Sequence, residues 1–307
     1  MRFLRLLAAV ALLAGCSASG TTASSTGTST PAGAGTSAGT GESGGAGSTT
    51  GSTAGSSPRT ETGMAAHQRT TVWIVTSHAV DLLRGGLSDQ QLAQLFNNRN
   101  TYVVGPPVPG FTSAHRTAST PTLATPPPPG ADALLYDDEA WPLTPREQQL
   151  DPAKYEAANH AFAQAHHLTF LATPATDLVT VLDPHGAGTV QDRFLKLGII
   201  AAAARNADIV DIQAQGLEGS PRFADFVTKA TAQARAANPK VIVLAGLSTN
   251  PSGRAIDAQT FATDANAVRN VVDGYWLNVP QAGAACPRCG AAQPQVAYPW
   301  LKALVGG

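Results

Sequence analysis

Several stretches of this 307-residue chain set acids, amides and indoles at spacings that could do chemistry on a polar substrate. Tyr136-Asp137-Asp138-Glu139-Ala140-Trp141 follows the apolar run Ala133-Leu134-Leu135, and in an extended chain Asp137 and Glu139 share one face. Asp208-Ile209-Val210-Asp211-Ile212-Gln213-Ala214-Gln215 alternates in the same way. Asp211, Gln213 and Gln215 lie on one side and Val210, Ile212 and Ala214 on the other. Gly246, Ser248 and Asn250 repeat the trend, as do Trp276 and Asn278. Two carboxyls can divide the work of acid and base or nucleophile, amides grip hydroxyls from two sides, and indoles stack on apolar sugar faces. The set suits a saccharide, with Asp137, Glu139 and Asp211 as reacting groups. Tyr136, Trp141, Gln213, Gln215, Asn250, Trp276 and Asn278 would then be contacts to the sugar.

The elements that must position these groups alternate. Strands are expected at 71–75, 101–104, 133–137, 168–173, 208–213, 241–246 and 275–279, the second of them marginal. Helices are signalled by the capping box Ser88…Gln91, by Asp151-Pro152, by Thr189 before a stripe of Val190, Phe194, Leu197, Ala201 and Ala204, by Ser220-Pro221, by Asp257, and over 298–305. Tyr155, Ala158, Phe162 and Ala165 make the expected inner face of the second of these. Thr144-Pro145-Arg146-Glu147 reads as a further capping box, and the Pro-rich stretch 106–130 as a long surface loop. Strand–helix alternation implies parallel pairing through right-handed crossovers. An inner strand of an open doubly wound sheet is apolar on both faces, whereas a barrel strand can aim polar groups at the barrel mouth. The polar face of 208–215 therefore favours a (β/α)₈ TIM-like barrel over the open sheet. Seven strands leave either a hidden eighth or an incomplete barrel.

In that architecture the strand ends resemble those of (β/α)₈ glycoside hydrolases, and Asp137-Asp138-Glu139 resembles the Asp-x-Glu tail of chitinase-like family 18 enzymes. The longer Asp-rich motif of that family is absent, since 131–136 supplies only Asp132. The resemblance implies a hydrolase acting on a glycan, with Glu139 as acid. The alternatives are a non-catalytic barrel that holds a saccharide or cell-wall polymer, and an Asp138 that faces solvent. No cofactor is called for. The seven histidines are scattered without metal-ligand spacing, so no metal is expected. Cys286-Pro287-Arg288-Cys289 is a lone CxxC. A disulfide stapling its loop is the plainest reading, with a redox pair or half a zinc site as alternatives.

The beginning of the chain carries an address. Arg2 and Arg5 precede an apolar run over 6–13 that is too short to span a bilayer, and Leu13-Ala14-Gly15-Cys16 resembles the lipobox of bacterial lipoproteins. The resemblance implies a signal peptide over 1–15 and acylation of Cys16, anchoring the chain to the cell membrane on its extracytoplasmic side. Residues 16–63, mostly Ser, Thr, Gly and Ala, are too poor in apolar groups to fold and read as a disordered tether. The barrel domain then covers 64–307. Lys plus Arg number 20 against 21 Asp plus Glu, which leaves no basic field for nucleic acid.

Overall fold

The computed structural model describes residues 71–119, 126–283 and 286–306. The signal segment, the Cys16 lipobox and the 16–63 tether lie outside the described residues. The first part of the domain holds β1 (Val72–Thr76), α1 (Ser77–Leu83), α2 (Asp89–Phe96), β2 (Thr101–Val104), β3 (His115–Ser119) and β4 (Ala133–Tyr136). After β4 come α3 (Arg146–Leu150), α4 (Pro152–Ala165), β5 (Thr169–Ala172), α5 (Val179–Leu182), α6 (Val190–Leu197), α7 (Ile199–Asn206) and β6 (Ile209–Ile212). The last part holds α8 (Arg222–Ala237), β7 (Ile242–Ser248), α9 (Ala258–Val268), β8 (Gly274–Asn278) and α10 (Tyr298–Val305). Each strand pairs in parallel with the next, and β8 pairs with β1, so the sheet is a closed eight-stranded barrel. Closure brings β8 hard against β1: a Cβ on Gly274 would stand 1.8 Å from the Val72 carbonyl oxygen, so only glycine fits.

The eighth strand is β3, inside the stretch expected to be a loop. It carries no apolar run, and of its residues only Thr117 and Ala118 are buried. Its neighbours supply what its own sequence lacks. Tyr102 pairs with His115 and Thr117 with Ala133 in the ladders. The His115 ring stacks on Tyr102 and bonds Asp132 Oδ2 at 2.7 Å and the Arg99 carbonyl at 2.9 Å. Three further expectations are corrected. The helix opened by Thr189 breaks at Gly198, whose φ of 67° ends α6 and turns the chain into α7, leaving Leu197 exposed. The buried face of α4 is Glu156, Asn159 and Ala163, turned by one residue from the expected stripe, with Ala165 exposed. Thr144 does not cap α3, whose N-cap position is Pro145 and carries no side-chain cap.

Side-chain alternation separates two apolar layers. Val72, Ile74, Tyr102, Val104, Ala133, Leu135, Leu171, Ile209, Leu244 and Trp276 fill the barrel interior. Val75, Val103, Leu134, Tyr136, Phe170, Val210, Val243 and Leu277 face the helices. Two residues beyond the interior set, toward the C-terminal strand ends, stand Asp137, Thr173, Asp211, Gly246 and Asn278, and Gln213 follows Asp211. The hydrophobic plug thus ends in a polar tier at the mouth.

Candidate functional site

Asp137, Glu139 and Gln213 meet in that tier. Gln213 Nε2 donates to Asp137 Oδ1 at 2.9 Å, to Glu139 Oε1 at 3.4 Å and to the Thr173 carbonyl at 2.8 Å. Thr173 Oγ1 donates to Asp137 Oδ1 at 2.8 Å, and the Asp137 and Glu139 carboxyls are hydrogen-bonded to each other. Two carboxyls sharing a hydrogen bond need a proton between them, so they ionise as one unit. Burial pushes Asp137 up to about 7, opposed by the Thr173 hydroxyl and reinforced by the Asp177 charge. Burial also pushes Glu139 well above the usual carboxyl range, helped by the charges of Asp137 and Asp177. Asp211 is raised by burial and by Asp137, and neither of its oxygens finds a hydrogen-bond partner among the described residues. At neutral pH this tier therefore holds neutral carboxylic acids, which can give up a proton, beside a carboxyl of intermediate affinity.

The loop after β4 is wound to hold Glu139. Thr144, freed from capping, accepts from Glu139 N at 3.3 Å and from Trp141 Nε1 at 2.8 Å. Gln149 Nε2 donates to the carbonyls of Trp141 and Thr144, at 2.8 Å each. Trp141 thus spends its N–H inside the loop and remains half-buried at its surface.

The remaining expected contacts divide. Gln215 lies over Gly246, where a Cβ would come within 2.5 Å of Gln215 Nε2, and glycine there lets the amide reach across the mouth. Gln215 Nε2, Trp276 Nε1 and Asn278 Nδ2 are buried donors that find no acceptor among the described residues. Asn250 is largely structural: its Nδ2 donates to the Cys289 carbonyl, and its backbone N–H bonds Ser248 Oγ at 3.2 Å. Tyr136 is not in the mouth. It lies on the helix-facing side, and its hydroxyl donates to Gln148 Oε1 at 2.9 Å, because strand alternation puts residue 136 opposite residue 137. Asp138 shares that outer side and is fully buried, not solvated. Burial and the Asp137 charge push it up to about 8. Behind it Glu156, raised well above its usual range by burial and by Asp138, has no hydrogen-bond partner among the described residues. Sequence reasoning missed Glu156. Its only signal is the three-and-four spacing of Glu156, Asn159 and Ala163, which reads as polar and therefore as an outer face.

Cys286 and Cys289 form a disulfide, stapling the loop after β8. That loop presses on the one after β7: Gly253 has φ +79° and no room for a Cβ, which would meet the Arg288 carbonyl at 2.3 Å. Among the described residues no three His, Cys, Asp or Glu side chains are placed to share a metal ion, and no helix is long and apolar enough to cross a membrane.

Neither a protein family nor a curated protein matches this chain by sequence. Among solved structures it is similar to an active-site mutant of Rhizomucor miehei beta-1,3-glucanosyltransferase in complex with laminaritriose. That similarity covers 68% of this chain and 87% of the other, at 12% identity and a TM-score of 0.37.

Proposed function

We propose that the barrel is a glycan hydrolase in which Glu139 is the general acid and Asp137 its proton-sharing partner. The observation that carries this reading is the hydrogen-bonded Asp137–Glu139 pair bridged by Gln213 at the C-terminal end of a closed parallel barrel, where barrels of this type place their chemistry. Glu139 would protonate the leaving glycosidic oxygen as the bond to the anomeric carbon breaks. Water would add its hydroxyl to that carbon and return its proton to Glu139. Asp137 and Glu139 touch, so they do not flank a sugar as acid and nucleophile, a task that needs roughly 5–10 Å between carboxyls. Asp211 is the remaining carboxyl in the tier, and as a neutral acid with both oxygens unpaired among the described residues we assign it a hydrogen bond to a sugar hydroxyl. Gln215, Trp276 and Asn278 carry free donors for sugar oxygens. The chain's address is part of the proposal: acylation of Cys16 would hold the domain on the outer side of the cell membrane.

A second reading, a barrel that binds saccharide without cleaving it, is favoured by burial. Asp137 is 6% exposed and Glu139 1%, so a sugar reaches them only after the mouth opens. Incubation with a panel of soluble glucans, chitooligosaccharides and cell-wall fragments, with products read by mass spectrometry, separates the two. Cleavage that is lost in Glu139→Gln while calorimetric binding persists supports the hydrolase. Binding with no cleavage of any member supports the second reading. A Cys16→Ser variant that still fractionates with membranes would refute the address.

A further inference from the structure

Glu139 sits one residue beyond the end of a hydrogen-bonded ladder that runs on past β4 and β5. Thr173 N donates to the Tyr136 carbonyl at 3.0 Å and Ala175 N to the Asp138 carbonyl at 2.8 Å. The next rung is made by a side chain: Ala140 N donates to Asp177 Oδ1 at 2.9 Å, across 37 residues of sequence. Asp177 lies in the short turn Thr176–Leu178 after β5, itself tied by Thr180 Oγ1 to the Asp177 carbonyl at 2.8 Å. The two amides that flank the Glu139 Cα are therefore both held by side chains, Glu139 N by Thr144 and Ala140 N by Asp177. Of these two holders only Asp177 carries charge.

We propose that Asp177 is the positioning residue of the carboxyl pair, fixing the backbone on the far side of Glu139 through Ala140 N–H and setting a negative charge behind Asp137 and Glu139. The inference rests on the proposed role of Glu139. Asp177 is a carboxylate from the turn after β5 whose charge acts on Asp137, Asp138 and Glu139 alike. Its own carboxyl is raised by burial and lowered by the Ala140 hydrogen bond, and no described cation offsets it. On the neighbouring helices, Lys196 of α6 is exposed to solvent, where its charge is screened. Arg193 of α6 donates to the Asp183 carbonyl and Arg146 of α3 to Gln149 Oε1. A negative charge left uncompensated near a buried pair keeps a proton on that pair to higher pH.

The test compares wild type, Asp177→Asn and Asp177→Ala in the full chain, with side-chain carboxyls followed by ¹³C NMR across pH and backbone amides by hydrogen exchange. Asparagine keeps an oxygen for Ala140 N–H and removes the charge. Its expected result is an Ala140 amide as protected as in wild type, with the titration midpoint of the Asp137–Glu139 pair lowered by on the order of 1 pH unit. Alanine removes both, so the midpoint falls and Ala140 exchange accelerates about tenfold, the equivalent of one net hydrogen bond. An unchanged midpoint in Asp177→Asn overturns the proposal, as does unchanged Ala140 exchange in a folded Asp177→Ala. If the alanine variant does not fold, the asparagine midpoint decides alone. Neither readout needs turnover, so a chain that cleaves no glycan refutes the proposed function while leaving this assignment to be judged by titration. On a glycan that the protein cleaves, the alkaline limb of kcat/KM moves down with the midpoint in Asp177→Asn, and a limb that stays in place overturns the proposal.

Discussion

Replacing Gln213 by leucine removes the amide that bridges the carboxyl pair while keeping the side chain near its original volume. Three acceptors lose a donor: Asp137 Oδ1, Glu139 Oε1 and the Thr173 carbonyl. The 3.4 Å contact to Glu139 is weak, so two lost bonds dominate. Leaving a buried acceptor unpaired costs about 1–3 kcal/mol, and Asp137 keeps the Thr173 hydroxyl, which together put the loss at about 3 kcal/mol. For a domain of this size that corresponds to about 6–12 °C in Tm. Gln213 also holds the Asp137 and Glu139 affinities down, so both carboxyls move further up in the variant. The assay is urea unfolding followed by tryptophan fluorescence, run at about pH 5 and about pH 8, with Gln213→Glu as the companion. The glutamate variant adds a third carboxyl to the cluster, and it should lose more stability than the leucine variant at the higher pH and less at the lower. A loss under about 1 kcal/mol in Gln213→Leu, or a Gln213→Glu penalty independent of pH, would refute the account of the amide as the bridge.

The pH dependence of the parent protein has a defined sign. Asp137 and Asp138 titrate at about 7 and about 8 in the folded state, above the 3.8 of an unperturbed Asp, so the folded chain binds more protons than the unfolded one. Stability should therefore decline as pH climbs from about 4 toward about 8, and a calorimetric Tm that rises over that span would count against the buried acids. Glu156→Gln removes a buried, unpaired carboxyl without changing its shape, and it should raise Tm above neutral pH while changing little below about pH 5. A uniform fall in Tm at every pH would show that the carboxyl itself is needed. Gly274→Ala drives a methyl into the Val72 carbonyl at the β8–β1 seam, with an expected cost of about 3 kcal/mol or more. Near-neutral behaviour in chemical denaturation would mean that the seam yields.

The architecture was legible where residues declare their faces. The alternation of Asp211, Gln213 and Gln215 against Val210, Ile212 and Ala214 marked a barrel strand, because an open inner strand does not carry a polar side. β3 was illegible because its stability comes from Tyr102, Asp132 and Ala133, none of which lies within it. At the site, Asp137 and Glu139 could be paired from their spacing, and Tyr136 could have been set aside by the same spacing, since the residue before an inward acid must point outward. The role of Thr144 was hidden by a stronger local pattern: a Thr-Pro-x-Glu start looks like a cap, and only the folded loop shows its hydroxyl turned back to Glu139. Asp177 lies 37 residues from the amide it holds, so no local pattern could reveal the contact.

Parallel strands give the barrel two unlike poles. Residue 71 leads into β1 at one of them, and the acids of β4 and β6 gather at the other. A surface, tag or bead coupled ahead of residue 71 therefore joins the barrel at the pole away from the carboxyls, and immobilisation through that end is the orientation to choose for presenting soluble polymers to the mouth.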